Sequence, residues 1–143
     1  MGSGRWALGM ADGFDLAISK QQAMSRDVNK LRVFHSTDEL MLRLYRVTAA
    51  LPVEERYGLQ SQLRRAGLSV PVNIVEGSTR RTLREYLSFL NIARASTAEV
   101  LYLLSVGRRL GFLESESTQA LESEYRAQLK SLRAMLRSLE SET

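Results

Sequence analysis

The side chains best suited to chemistry in this sequence are arginines, which make up nearly all of its basic residues. A planar guanidinium donates paired hydrogen bonds that fit the oxygen atoms of a phosphate group. The arginines that form pairs or clusters are candidates for nucleic-acid contacts: Arg64, Arg65, Arg80, Arg81, Arg84, Arg108 and Arg109. Arg64 and Arg65 have a structural alternative, since they could pair with Glu residues of the same fold.

Residues for catalysis or metal binding are few. His35 is the single histidine and there is no cysteine, so one chain cannot build a histidine-based triad, a multi-histidine metal site or a disulfide. The Glu residues near Glu54, Glu114 and Glu122 lack the spacing of a cation-binding loop. A glycine-rich phosphate loop and a nucleophile elbow are also absent. We therefore expect a non-enzymatic protein without a metal or cofactor.

Composition indicates one soluble domain with a moderate preference for anionic partners. The 143 residues are 44% hydrophobic and 25% charged, and 20 Lys and Arg against 16 Asp and Glu give a net charge of +4. This excess is smaller than that of most strongly basic nucleic-acid binders. No segment approaches the roughly 18 apolar residues of a membrane span. Together with the lack of cysteine, this favours a cytoplasmic protein.

Residues 1–30 differ in texture from the rest and are predicted to form an N-terminal extension to a domain of residues 31–143. The segment is rich in glycine and has no apolar run typical of a secretory signal. It is either a mobile tail or leader, with Met10 or Met24 as alternative starts, or it contains a short helix from Phe14 to Met24 that docks on a neighbouring subunit.

The pattern from Val33 onward is helical. A first helix reaches about Ala50, with Ser36 and Glu39 spaced as a capping box, and ends before Pro52. The second helix carries the core stripe Leu59, Leu63, Ala66, Val70 and Ile74. Pro71 within it predicts a kink.

The second and third helices each carry a second apolar stripe. Gly77 is predicted to end the second helix in a left-handed cap, and Thr82 with Glu85 forms a capping box for a third helix that ends near Gly111. The additional stripes are candidates for a subunit interface: Leu68, Val72, Val75, Phe89, Ile92, Leu103 and Val106. The N-terminal extension is the alternative cover for the stripe on the third helix.

The fourth helix has one apolar stripe and completes an all-α, antiparallel, up-and-down four-helix bundle. Its core positions are Leu121, Tyr125, Leu129, Leu132, Leu136 and Leu139, and Arg126, Lys130, Arg133 and Arg137 lie on or near its solvent side.

Two polar residues, Asn73 and Glu76, lie close to these apolar stripes beside Gly77. We expect them to bond to backbone groups around the kinked helix, since buried polar groups need partners. Glu76 could pair with Arg80, Arg81 or a neighbouring subunit's Arg64. The functional alternative is a small polar pocket.

Several segments resemble one bacterial family in order. They are YGLQSQLRRA (57–66), SVPVNIVEGS (69–78), REY (84–86) with FL (89–90) and IA (92–93), and LGFL (110–113). The resemblance is to the four-helix bundle proteins encoded in intervening sequences of 23S ribosomal RNA genes, a family that includes the accessory variability determinant (Avd) proteins of diversity-generating retroelements. It implies a ring-like homopentamer with a central pore and, for the Avd branch, a basic surface that binds nucleic acid and a reverse transcriptase.

We therefore expect a homo-oligomer that binds RNA or DNA through phosphate contacts without reading sequence, because no helix-turn-helix, finger or aromatic stacking platform is evident. A protein-protein adaptor or scaffold with no nucleic-acid role is the alternative. A third alternative is a small-molecule binder that uses the pore or the kink of the second helix.

Overall fold

Four helices make up the described part of the chain, which is residues 29–142 in the computed structural model. They are α1 (Asn29–Thr48), α2 (Leu59–Ser78), α3 (Leu83–Arg109) and α4 (Ser115–Glu140), with a single 3-10 turn at Val53–Glu55. Residues 29–142 contain no strand, so the all-α prediction is confirmed. Residues 1–28 of the predicted extension, including the predicted helix from Phe14 to Met24, lie outside the described residues.

Consecutive helices pack as neighbours, and α4 closes the bundle against α1. Contacts between α2 and α3 show their antiparallel course, because rising numbers on one helix meet falling numbers on the other. Leu59 lies beside Gly107, Ser69 bonds to Ser96, and Gly77 packs on Tyr86. The chain is therefore a four-helix bundle, with α1 diagonal to α3 and α2 diagonal to α4.

Two apolar clusters fill the bundle, one towards each end. The cluster at the α2–α3 turn consists of Val33, Val70, Ile74, Tyr86, Leu90, Ala93, Leu132, Met135, Leu136 and Leu139. The cluster at the opposite end consists of Leu40, Leu44, Leu51, Leu63, Ala66, Val100, Leu104, Leu113, Leu121 and Tyr125. All six predicted core positions of α4 are buried, as are those of α2 except the half-buried Leu59.

A polar layer separates the two clusters at mid-height. Gln128 on α4 is buried and donates hydrogen bonds from Nε2 to the backbone carbonyl of Val33 and to Oγ1 of Thr37. Thr37 in turn donates to the Val33 carbonyl at 2.7 Å. Thr97 on α3 is also buried and donates to the carbonyl of Ala93 at 2.8 Å. Every buried polar side chain of this layer therefore has a partner, as buried polar groups require.

The helix ends agree only partly with the sequence predictions. Oγ1 of Thr82 accepts a hydrogen bond from the backbone N–H of Glu85 at 3.2 Å, which confirms the cap of α3. Gly111 adopts a positive φ of 76° after α3, as a glycine stop predicts. The predicted cap at Ser36 is wrong, because α1 begins at Asn29 and Ser36 lies two turns inside it. Burial of Val33 in the core holds that first part of the helix.

The predicted left-handed cap at Gly77 is also wrong. Helix α2 continues through Pro71 and Gly77 to Ser78, and Gly77 does not have a positive φ. Its role is close packing, since a Cβ at this position would lie 2.9 Å from side-chain atoms of Tyr86 and Phe89. The small residue lets α2 approach the start of α3.

Candidate nucleic-acid-binding surface

Four of the seven candidate arginines have partners within the described fold, and two of these, Arg64 and Arg108, join neighbouring helices. Arg64 donates from Nε to Oγ1 of Thr48 and from Nη2 to the carbonyl of Tyr45, both at 3.0 Å, and its guanidinium lies 4.7 Å from the centre of the Tyr45 ring. These contacts join α2 to the C-terminal end of α1. The guanidinium of Arg108 is also bound within the fold, because it pairs with Glu122.

The pair formed by Arg108 and Glu122 joins the end of α3 to the start of α4. Nε of Arg108 lies 2.7 Å from Oε2 of Glu122, and Nη2 lies 3.2 Å from Oε1. The carboxylate side chain is only 6% exposed. This hydrogen bonding raises the pKa of Arg108 above its ordinary value. The pair neutralises a buried charge and fixes which sides of α3 and α4 face each other.

The arginines at the α2–α3 turn divide into partnered and unpartnered side chains. Arg80 lies 3.2 Å from Oε2 of Glu76 and 4.6 Å above the ring centre of Phe89. Arg81 and Arg84 are exposed, and no ion pair or hydrogen bond of their side chains occurs within residues 29–142. Arg65 is likewise exposed on α2 without such a partner.

Asn73 on α2 and Arg109 on α3 each donate hydrogen bonds to a serine four residues earlier on the same helix. Asn73 donates from Nδ2 to the carbonyl of Ser69 at 2.7 Å and to its Oγ at 2.9 Å, while the Ser69 hydroxyl also bonds to that of Ser96. Nε of Arg109, at the other end of α3, donates to the carbonyl and Oγ of Ser105.

The outer surface of the α3–α4 pair collects most of the remaining cations. On α4, four exposed residues follow Glu122 at steps that keep them on its α3-facing side: Arg126, Lys130, Arg133 and Arg137. On α3, Arg94 precedes Arg108 by fourteen residues, nearly four helical turns, and so lies on the side that faces α4. We call this surface the basic face and define it by the four α4 residues with Arg94 and Arg109.

Carboxylates are largely excluded from the basic face. From Tyr125 to Leu139, α4 has no Asp or Glu. On α3, Glu85 lies about 180° around the helix from Arg94, while Glu99 lies about 140° from Arg94 and about 80° from Arg109, at 100° per residue. Glu124 faces α1, where it pairs with Arg43. The four α4 cations therefore have no hydrogen bond or ion pair within residues 29–142.

The predicted subunit-interface residues form an unevenly exposed apolar surface on α2 and α3. Leu68, Val72 and Ile92 are 42%, 46% and 45% exposed. The other four, Val75, Phe89, Leu103 and Val106, are half-buried. Val75 and Leu103 pack partly against the core clusters of their own chain.

Titratable groups do not gather into a reaction centre in the described region. Residues 29–142 contain no group of three or more His, Cys, Asp or Glu that could hold a metal ion. His35 is exposed and lies edge-on to Phe34. The hydroxyl of Tyr125 is buried without a hydrogen-bond partner, and burial raises its pKa. No helix in the described region is long and apolar enough to cross a membrane.

Comparison with known proteins identifies the family. The family model described as 23S rRNA-intervening sequence protein matches residues 29–136. The chain belongs to this family. No curated protein matches the sequence. A crystal structure of a protein of unknown function from the S23 ribosomal protein family of Bacteroides thetaiotaomicron is similar, with a TM-score of 0.70 and 21% identity over 76% of this chain and 97% of that one.

Within this member of the 23S rRNA-intervening sequence protein family, sequence reasoning missed most of the basic face as a binding candidate. The helical pattern places the α4 cations on or near the solvent side of the fourth helix, and the sequence-predicted candidates do not include Arg94. Their signal was available, because steps of four, three and four residues without an intervening carboxylate define one charged stripe. Only the pairing of α3 with α4 through Arg108 and Glu122 places this stripe on the same side of the bundle as Arg94 and Arg109.

Proposed function

We propose that this protein is a non-catalytic, cytoplasmic, homo-oligomeric nucleic-acid-binding protein that holds RNA or DNA by its phosphates. The observation that carries the proposal is the basic face, where four exposed cations on α4 have no carboxylate partner. Structural cations are normally paired where a fold uses them, as Arg108 is, whereas a row without partners is available to an external polyanion. The family name, which refers to ribosomal RNA genes, is in keeping with this function.

Phosphate binding through this face predicts no base-specific readout. A guanidinium or ammonium group that contacts the backbone of a nucleic acid fixes position and carries no sequence information directly. Arg81 and Arg84 at the α2–α3 turn would extend the contact, since both are exposed and unpartnered in the described region. In an assembly, each subunit would repeat the charged row and enlarge the field over one surface.

The proposal is tested by removing charge from the basic face. We expect Lys130→Gln with Arg133→Gln to weaken binding of labelled RNA and DNA oligonucleotides, measured by fluorescence anisotropy at 50 mM salt. Gln has a helix propensity close to those of Lys and Arg, so the helix should persist. The matched control is Arg32→Gln with Arg46→Gln, which removes the same charge from exposed positions on α1, the helix diagonal to α3.

Three outcomes contradict the proposal. The first is absence of binding by the parent chain at low salt, and the second is equal weakening by the two charge variants. The third is binding of labelled poly-L-glutamate that is as tight as the binding of oligonucleotides of equal charge. This result would favour an adaptor for acidic proteins. Equal solution mass of all variants verifies that the assembly is unchanged.

Self-association is the second part of the proposal and is supported by the exposed apolar residues on α2 and α3. We expect a homo-oligomer, with five subunits in a ring as the resemblance implies. Val72→Ser with Ile92→Ser should lower the solution mass measured by light scattering, because both side chains are nearly half exposed in the single chain. A monomeric parent chain would refute this part.

A further inference from the structure

The basic face also carries an exposed aromatic side chain, Tyr102. This residue on α3 is 64% exposed, although tyrosine usually buries much of its ring. It precedes Arg109 by seven residues and follows Arg94 by eight, so it lies about 20° around α3 from Arg109 and about 80° from Arg94, with Glu99 about 60° away on its other side. No hydrogen bond of its hydroxyl and no ring contact occurs within the described residues.

The antiparallel pairing of α3 and α4 places Tyr102 at the same height in the bundle as the α4 cations. Arg108 and Glu122 are at the same height, because their side chains form a bidentate pair. Six residues before Arg108 on α3 is Tyr102, and six residues after Glu122 on α4 is Gln128. Equal rise on the two helices therefore sets Tyr102 level with the interval between Arg126 and Lys130.

An exposed ring next to a row of cations is the arrangement that single-stranded nucleic acid needs. Its bases are free to stack on an aromatic ring while its phosphates follow the charges, and both terms are insensitive to sequence. A duplex keeps its bases stacked on one another, so Tyr102 would contribute nothing to binding it.

The shape of the basic face also disfavours entry into a duplex groove. Packed helices have axes about 8–10 Å apart and are each about 10 Å across, so a two-helix surface spans roughly 20 Å. The major groove of B-form DNA is about 12 Å wide, and that of A-form RNA is narrower. The α3–α4 pair could therefore reach only the outer phosphates of a duplex.

We infer that the basic face takes single-stranded nucleic acid in preference to duplex, with a base stacked on Tyr102 and adjacent phosphates on Arg126 and Lys130. The inference rests on the proposed function and specifies the form of its ligand. Arg126 and Arg137 are eleven residues apart, about 16.5 Å along the helix, which corresponds to about five steps between phosphates at the 3.4 Å spacing of a stacked strand.

The test compares a labelled 12-nucleotide RNA as a single strand and as a blunt duplex with its complement, for the parent chain and three variants. We expect the parent to bind the single strand more tightly. Tyr102→Ala should weaken that binding about 5- to 150-fold, the range for loss of one stacked base, and should leave duplex binding unchanged. Tyr102→Phe should retain the parent affinity because it keeps the aromatic ring.

Tyr57→Ala is the matched control, since Tyr57 is 90% exposed but lies in the connection between α1 and α2, outside the α3–α4 pair. It should not alter binding. Three results would overturn the inference: duplex binding as tight as single-strand binding, no effect of Tyr102→Ala, or a changed solution mass of Tyr102→Ala, which would assign the ring to a subunit contact.

The inference and the proposed function fail in different ways. If Lys130→Gln with Arg133→Gln weakens binding of both RNA forms while Tyr102→Ala affects neither, the phosphate-binding function stands and the single-strand preference is wrong. If neither RNA form binds at 50 mM salt, the proposed function itself is wrong.

Discussion

The salt dependence of binding offers a quantitative test of the basic face. When cationic side chains replace the counterions of a nucleic acid, the released ions make the binding constant fall with salt concentration. The slope of log K against log salt is about −0.7 per phosphate contact for a single strand. The number of unpaired cations that a substitution removes therefore predicts the change in this slope.

The structure sets the size of the effect. Four unpaired cations on α4 predict a slope of about −2.8 per chain, so raising salt from 50 to 200 mM should weaken binding about 50-fold. Lys130→Gln with Arg133→Gln leaves two cations and predicts a slope of about −1.4, which corresponds to a loss of about 7-fold over the same range. Participation of Arg94 and Arg109 would steepen both slopes and leave their difference the same.

Anisotropy titrations of a labelled single strand at five or more salt concentrations give these slopes directly. The control Arg32→Gln with Arg46→Gln should keep the parent slope, because those residues lie on α1. A slope that is the same in the parent and in the α4 variant would show that Lys130 and Arg133 do not contact phosphate, and the reasoning from the basic face would be refuted.

Two further predictions concern stability. Gly67→Ala would place a Cβ 2.3 Å from Cδ2 of the fully buried Leu44. The overpacking cost of about 1–3 kcal/mol should exceed the helix-propensity gain of about 1 kcal/mol, so the substitution should lower Tm. Adding Leu44→Val should partly restore Tm, and a Tm above that of the parent for Gly67→Ala alone would contradict the contact. Glu114 caps α4 by accepting hydrogen bonds from Ser117 and from the backbone N–H of Glu116, which lower its pKa below the ordinary 4.5. Because the pKa of Glu114 is depressed in the folded state, this stabilisation is present above pH 4.5 and is lost as the pH falls through the folded-state pKa. The difference in Tm between the parent and Glu114→Ala should therefore be full at pH 7 and disappear on acidification. A difference in Tm that persists in acid would refute the assignment.

Local sequence signals predicted the helices well where one physical effect dominates. Pro52 prevents α1 from continuing, Thr82 supplies a cap oxygen, and Gly111 adopts a positive φ, so each boundary depends on one residue. Ser36 and Gly77 have the same local signature but lie inside helices, because packing of Val33 and Tyr86 outweighs the local preference.

The candidate site was less predictable, because partnership is a tertiary property. Sequence spacing cannot show that Arg108 is held by Glu122, fourteen residues away, or that Arg64 bonds to Thr48. Nor can it show that Tyr102 and the α4 cations share one surface, since this depends on the height at which α3 and α4 pair.

The polar layer between the two core clusters bears on how that height is set. If α4 slid by one turn along its neighbours, the amide of Gln128 would enter an apolar cluster and lose the Thr37 hydroxyl and the Val33 carbonyl. An unsatisfied buried polar group costs about 1–3 kcal/mol, whereas leucines displaced by a turn could find other leucines. The polar layer thus fixes the position of α4 along the bundle axis. The alignment of Tyr102 with the cations of α4 therefore depends on the hydrogen bonds of Gln128, which are made on the opposite side of α4.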